Sequence, residues 1–183
     1  MNVLNTLKEL NVVKSGHFIL PSGKHSSVYF QFAHLFKFPD KSEKFVKVLV
    51  NKLRNSNLSF DSVVGPAIGG IIMSYELARQ LEKPVIYMER INGVMTLGEY
   101  FTIDIGQRIL IAEDVITSGQ TIRESIKLIE SLGAVVVGIV CVVNKENIEI
   151  KQKIYSCIDF NFKSYLHYQC PLCRKDIPLE NGK

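Results

Sequence analysis

Ile109-Leu110-Ile111-Ala112-Glu113-Asp114-Val115-Ile116-Thr117-Ser118-Gly119-Gln120-Thr121 decides the reading of this chain. Its first part is apolar and β-branched, which predicts a buried strand over Arg108–Ala112 that ends in two adjacent acids. A small, hydroxyl-rich turn follows. A helix is expected from about Thr121 to Ser131, closed by Gly133 just past its end. Downstream, Ala134 to Val143 is apolar on both faces and reads as a central strand covered by helices.

The same alternation extends upstream. Asp40–Asn55 carries Phe45, Val46, Leu49, Val50 and Leu53 at helical spacing, with Asp40 and Glu43 arranged as a capping box. Asp61–Val64 is strand-like and stops at Gly65-Pro66. Gly70–Leu81 is helical through Ile71, Ile72, Tyr75 and Ala78, and Pro84–Met88 is again a strand. Strands alternating with helices of about a dozen residues imply right-handed crossovers and a parallel sheet. The expected architecture is a single α/β domain with helices on both faces of the sheet. A small N-terminal hood spans about 1–38, the core about 40–145 and a C-terminal extension about 146–183, with no internal repeat or linker. Residues 15–38, with Gly16, Pro21, Gly23 and several aromatics, read as a hood or hairpin. Residues 90–106, punctuated by Gly93, Gly98 and Gly106, read as a lid or binding loop.

The 183 residues include 46% hydrophobic and 22% charged, which suits one globular domain and excludes a disordered or fibrous chain. The longest apolar run, ten residues from Ala134, is too short for the ~20 that span a bilayer. No basic start followed by an apolar core marks a secretory signal, so a cytoplasmic location is expected. The net charge of +4 suits a small anionic ligand, and without a dense basic run neither nucleic acid nor membrane is an expected partner.

Ligands of open parallel sheets bind beyond the carboxyl ends of the strands. The free amides at the start of the helix after Asp114 suit a phosphate, with Thr117, Ser118 and Thr121 adding hydroxyls and Gly119 permitting close approach. Glu113 and Asp114 would repel that anion unless they hold sugar hydroxyls or a bridging Mg²⁺. A phosphorylated sugar satisfies both demands.

The 13 residues resemble the phosphoribosyl pyrophosphate (PRPP) motif of type I phosphoribosyltransferases. The resemblance implies that family's fold, PRPP as co-substrate and Mg²⁺ held mainly through PRPP. It assigns the 5-phosphate to Thr117, Ser118, Gly119, Gln120 and Thr121 and the ribose to Glu113 and Asp114, with Val115 and Ile116 also among the PRPP-binding residues. Gly65-Pro66-Ala67-Ile68-Gly69-Gly70 matches the pyrophosphate loop, making Ala67, Ile68, Gly69 and Gly70 binding residues. Arg90 would approach pyrophosphate from the lid, and Glu113, Asp114 and Arg90 are the expected catalytic residues.

The hood, Gly16-His17-Phe18-Ile19-Leu20-Pro21-Ser22-Gly23-Lys24-His25-Ser26-Ser27-Val28-Tyr29-Phe30, is similar to the start of orotate phosphoribosyltransferases of the shorter-chain form. That resemblance covers roughly residues 10–145. It implies orotate as the base, with Lys24 or His25 and Lys145 at its carboxylate, Tyr29 and Phe30 against its ring and Thr117 beside it. It also implies a homodimer whose loops reach into the partner's site. Three departures stand out: Gly69 where many members carry Lys, Lys145 where an arginine is usual, and a lid that keeps only Arg90. Transfer to another base such as a purine, and a non-catalytic PRPP-sensing regulator, are the competing readings.

Of the four cysteines, Cys141 reads as core and Cys157 stands alone. Cys170 and Cys173 form a CxxC pair, read first as reduced structural cysteines. Half a zinc site, completed by His167 or Cys157, is the alternative, and redox use comes last.

Overall fold

The computed structural model describes residues 2–20, 22–145 and 148–180; Pro21 of the hood lies outside them. The elements in chain order are α1 (Val3–Glu9), β1 (Val13–Ile19), β2 (His25–Phe30), α2 (Ala33–Phe36), α3 (Pro39–Asn55), β3 (Ser62–Pro66) and α4 (Gly69–Leu81). They continue with β4 (Val85–Ile91), β5 (Val94–Leu97), β6 (Arg108–Ile116), α5 (Gln120–Ser131), β7 (Val135–Asn144), β8 (Ile154–Asp159) and β9 (Ser164–Tyr165).

Six strands form the main sheet in the order β5-β4-β3-β6-β7-β8, all parallel except β5, which runs antiparallel to β4 at the edge. The two-residue period of the strands sorts their side chains between two cores. Leu110, Ala112, Val140 and Val142 meet Phe45, Leu49, Leu53, Met73 and Leu77 of α3 and α4 on one face. Ile109, Ile111, Ile139 and Cys141 meet Ile122 and Ile129 of α5 on the other. A strand apolar on both faces is therefore used on both faces, each large buried side chain adding about 1.5–3 kcal/mol. Cys141 is a core residue, as its context predicts.

The hood is a β1–β2 hairpin that pairs Val13 with Phe30 at one end and Ile19 with His25 at the other, with a register shift between Ser15 and Phe18, and β9 is added beside β2. Phe30, Phe32 and Phe162 tie it into the α3/α4 side of the core.

The expectations differ from the structure in four places. The helix over 40–55 starts at Pro39, which needs no hydrogen-bond donor at the first position, so no side-chain cap forms. Glu43 instead pairs with Arg79 of α4 at 3.0 Å. β6 does not stop at Ala112. It runs through the acids to Ile116, because pairing with β7 continues from Glu113 opposite Cys141 to Ile116 opposite Asn144. The segment read as a lid is partly a hairpin: Asn92 and Gly93, with φ of 51° and 81°, make the tight turn between β4 and β5. Finally, the segment assigned to a C-terminal extension supplies the sixth strand, β8.

Candidate functional site

β3 and β6 are neighbours, but α4 leads from β3 to β4 on one side and α5 leads from β6 to β7 on the other. The carboxyl ends of β3 and β6 therefore flank the switch in strand order, where a crevice opens. A cleft of roughly 620 Å³ lies there, walled by Ala67, Ile68 and Gly69 after β3, by Glu113, Asp114 and the loop after β6, and by the hood residues Tyr29–Ala33.

The loop after β6 wraps a small concavity of roughly 30 Å³, about the share of one water, bounded by Glu113 and residues 115–122. Gly119 has a φ of 72°, a left-handed conformation that turns the chain into α5. The Ser118 hydroxyl accepts from the Gln120 amide at 3.3 Å, and the Arg123 guanidinium donates to the Ser118 carbonyl at 2.7 Å. These bonds fix the loop before any ligand arrives.

Glu113 is buried and Asp114 half-buried at the cleft floor. The Asp114 amide donates to Glu113 Oε1 at 3.1 Å, and the Val115 amide donates to Asp114 Oδ1 at 2.6 Å. Desolvation and then the neighbouring Asp114 charge push the Glu113 carboxyl well above its ordinary range. Desolvation pushes Asp114 up to about 6 against the pull of its amide bond. Both acids line the cleft, where sugar hydroxyls or a cation can meet them.

Gly69 and Gly70 are packed where a side chain would collide with the end of β6. A methyl group on Gly69 would run into the Asp114 carboxylate. One on Gly70 would sit 2.9 Å from the Ala112 carbonyl and 3.0 Å from Glu113 Oε1. Gly69 faces the cleft, Gly70 and Ile116 lie beneath its surface, and the Ala67–Ile68 peptide is cis.

Arg90 lines the cleft from the end of β4. Its guanidinium donates to the Gly93 carbonyl at 3.0 Å and forms an ion pair with Glu124 of α5. Sequence reasoning missed Glu124, which carries no motif. The bond from Gln120 first, and then that from Arg90, hold its carboxyl below the usual range.

A second recess of roughly 540 Å³ shares Leu20, Ser22, Thr117 and Ser118 with the cleft and contains Lys24, Arg123 and Lys145. The Lys145 ammonium donates to the Ser164 hydroxyl at 3.1 Å and lies 5.0 Å over the Phe162 ring. Desolvation, and then the Lys24 charge, lower its pKa. Of the two hood aromatics, Tyr29 is half-buried at the wall. Phe30 is committed to packing against Phe32, Phe160 and Phe162. Sequence reasoning also missed Phe162 as a cleft residue, because it lies far along the chain in no motif.

Two expectations are corrected. His25 lines neither recess: its ring lies in a cluster with His17, Cys170 and Cys173. Lys24 stands just before β2 and lines the second recess, whereas His25, the first residue of β2, is buried. Cys157 is not near the Cys170–Cys173 pair either. Its thiol donates to the Phe45 carbonyl at 3.4 Å, and burial pushes it up to about 12.

A model of the phosphoribosyl transferase domain matches residues 39–165, more than half of the chain. The orotate phosphoribosyltransferase of Caldanaerobacter subterraneus subsp. tengcongensis is 41% identical over 179 residues, which are 97% of this chain and 93% of that protein. The crystal structure of orotate phosphoribosyltransferase from Aeropyrum pernix is similar with a TM-score of 0.74 at 24% identity, covering 87% of this chain and 94% of that one. Adenine phosphoribosyltransferase from Thermoanaerobacter pseudethanolicus gives 0.69 at 20% identity, over 84% of this chain and 99% of that one. These structural likenesses show the fold.

Proposed function

The chain belongs to the phosphoribosyl transferase family, and on that premise we propose that it transfers the 5-phosphoribosyl group of PRPP to orotate, releasing pyrophosphate and forming orotidine 5′-monophosphate for pyrimidine synthesis. One observation carries this choice of base: an acid-floored, amide-rimmed cradle joins, at Thr117 and Ser118, a recess holding Lys24 and Lys145. The cradle suits a ribose phosphate. The lysines suit a base that bears a carboxylate, which purines lack.

In this reading the amides and hydroxyls of Thr117–Thr121 hold the 5-phosphate, and Glu113 and Asp114 accept hydrogen bonds from the ribose hydroxyls. The amides of Ala67–Gly70, joined by Arg90, hold the pyrophosphate. The bond from the anomeric carbon to the pyrophosphate oxygen breaks, taking its electron pair to the leaving group, and a ring nitrogen of orotate forms the new bond as its N–H proton is released to the pyrophosphate or to solvent. Positive charge develops on the ribose between these events, and the Glu113–Asp114 pair supplies the opposing field. Lys24 and Lys145 orient the base through its carboxylate, and Tyr29 covers its ring. The raised pKa values of the two acids fit a nearby Mg²⁺, which when bound with PRPP neutralises the departing pyrophosphate.

We read the enzyme as a homodimer. Ile68, Ile72 and Tyr75 are exposed on and beside the first turns of α4 at the rim of the cleft, an apolar surface that a second copy would cover. We also read it as working in the cytoplasm, which fits four free thiols among the described residues.

The test is a panel of orotate, uracil, hypoxanthine, guanine, adenine and xanthine with PRPP and Mg²⁺, following nucleotide and pyrophosphate. Turnover with orotate alone is expected. Turnover with a purine overturns the choice of base, and PRPP binding without any turnover favours a regulator.

A further inference from the structure

Outside the cleft, four ligand-type side chains from opposite ends of the chain converge. His17 on β1, His25 on β2, and Cys170 and Cys173 in the tail each offer one donor atom, all within 4.8 Å of one another. We propose that they form a structural zinc site that clamps the C-terminal tail to the hood hairpin.

Three of the six donor-to-donor spacings match the edges of a coordination shell. A tetrahedral Zn²⁺ with nitrogen at ~2.0 Å and sulfur at ~2.3 Å sets N–S edges of ~3.5 Å and an N–N edge of ~3.3 Å. Cys170 Sγ lies 3.5 Å and Cys173 Sγ 3.6 Å from His17 Nε2, and Cys173 Sγ lies 3.3 Å from His25 Nδ1. The His17 Nε2 to His25 Nδ1 distance of 2.8 Å is short of the N–N edge, and it would open by about half an ångström as a metal takes the place of the shared hydrogen, which moves to His25 Nε2.

The tautomer of His17 is already set for a metal. Its Nδ1 lies 2.7 Å from the Ile177 carbonyl, which can only accept, so Nδ1 carries the proton and Nε2 turns its lone pair inward. The exposure of Cys170 is 0%, of His17 1% and of His25 4%, while Cys173 is half-buried at the edge of the cluster. Two neutral imidazoles and two thiolates match the charge of Zn²⁺, leaving a net neutral centre. Binding releases two thiol protons to solvent. All four positions are protein donors, which marks a closed structural site rather than a catalytic one.

The backbone around the cluster supports a clamp. The Glu180 amide donates to the His17 carbonyl at 2.7 Å, and Tyr165 pairs with His25 across β9 and β2. The metal would lock the hairpin whose tip carries Ser22 and Lys24 into the cleft wall. His167 lies 3.7 Å from Cys173 Sγ and edge-on to His25, at the exposed rim and outside the set of four.

The experiment is elemental analysis of tag-free protein purified under reducing conditions, followed by Co²⁺ reconstitution of the stripped wild type. About one zinc per chain and a thiolate-to-cobalt charge-transfer band are expected. The Cys170→Ser/Cys173→Ser double variant should lose the metal, and His167→Ala should keep it. Hydrogen exchange at residues 13–30 should quicken on stripping. Wild-type protein that takes up neither metal, or that holds a Cys170–Cys173 disulfide as purified, overturns the proposal. If the double variant does not fold, the wild-type cobalt spectrum decides alone.

Discussion

The bare Cα of Gly69, at the start of α4, is packed against the carboxylate of Asp114, at the end of β6, with no room for a methyl group between them. The loop assigned to pyrophosphate and the acid assigned to ribose are thus one mechanical unit, and the departure at Gly69 follows from it. A longer side chain there has to displace Asp114.

Gly69→Ala is therefore expected to leave the fold intact while moving the Asp114 carboxylate. Misplacing a catalytic group by about an ångström costs on the order of 100-fold, so kcat/KM for PRPP should fall by about 10–100-fold. Thermal unfolding beside steady-state kinetics checks it, and unchanged kinetics would show that the contact is slack.

Asp114→Asn keeps the shape and removes the charge. If the acid pair stabilises the developing ribose cation, kcat should drop by about 100–1,000-fold while orotate binding barely changes. A variant with wild-type turnover removes Asp114 from the mechanism.

The raised pKa of Asp114, about 6, gives a pH signature. The ionised carboxylate is the form that holds hydroxyls or a cation. Affinity for PRPP with Mg²⁺ should therefore strengthen as pH rises through about 6 in the wild type, and less in Asp114→Asn. The ligand's own ionisation is common to both proteins. The sign for stability is opposite. The native state holds this proton more tightly than the unfolded chain, so native stability falls as pH rises from the ordinary value of 3.8 towards about 6. Calorimetry across that window checks both slopes.

Lys145→Ala should raise KM for orotate by about 10–100-fold, the worth of one charge-assisted hydrogen bond of about 1.5–3 kcal/mol, and leave KM for PRPP nearly unchanged. Lys145→Arg tests the fork geometry: a guanidinium that fits should restore most of the affinity.

Arg90 is tied to α5 through Glu124 and has to leave that pair to reach a pyrophosphate. Glu124→Gln should tighten product inhibition by pyrophosphate several-fold, and Arg90→Ala should weaken it about tenfold. The pair is partly exposed, so neither change should move stability by more than about 1 kcal/mol. Equal inhibition constants in both variants would disconnect Arg90 from the leaving group.

The alternating core was legible because strands buried on both faces and helices buried on one leave different periods, as at Ala134–Val143 and Phe45–Leu53. The loop after Asp114 was legible because acids, hydroxyls and glycine sit within one turn of each other. Contacts between distant segments were not. His17 and Cys170 are 153 residues apart, and only the antiparallel hood and the returning tail join them. Lys24 and His25 are adjacent in sequence, yet Lys24, before the start of β2, lines the second recess and His25, on β2, belongs to the metal-type cluster. The capping box at Asp40 does not form because Pro39 already starts the helix, and the first part of the segment read as a lid, through Leu97, is a hairpin because Asn92-Gly93 is a tight-turn pair.

The most direct test of the central claim runs the reaction backwards. Orotidine 5′-monophosphate and pyrophosphate with Mg²⁺ are supplied to the wild type and to Asp114→Asn, and the release of orotate is followed. The account predicts orotate and PRPP in equal amounts from the wild type and a rate lower by about two orders of magnitude or more in the variant. No release from the wild type, or equal rates from both proteins, would contradict it.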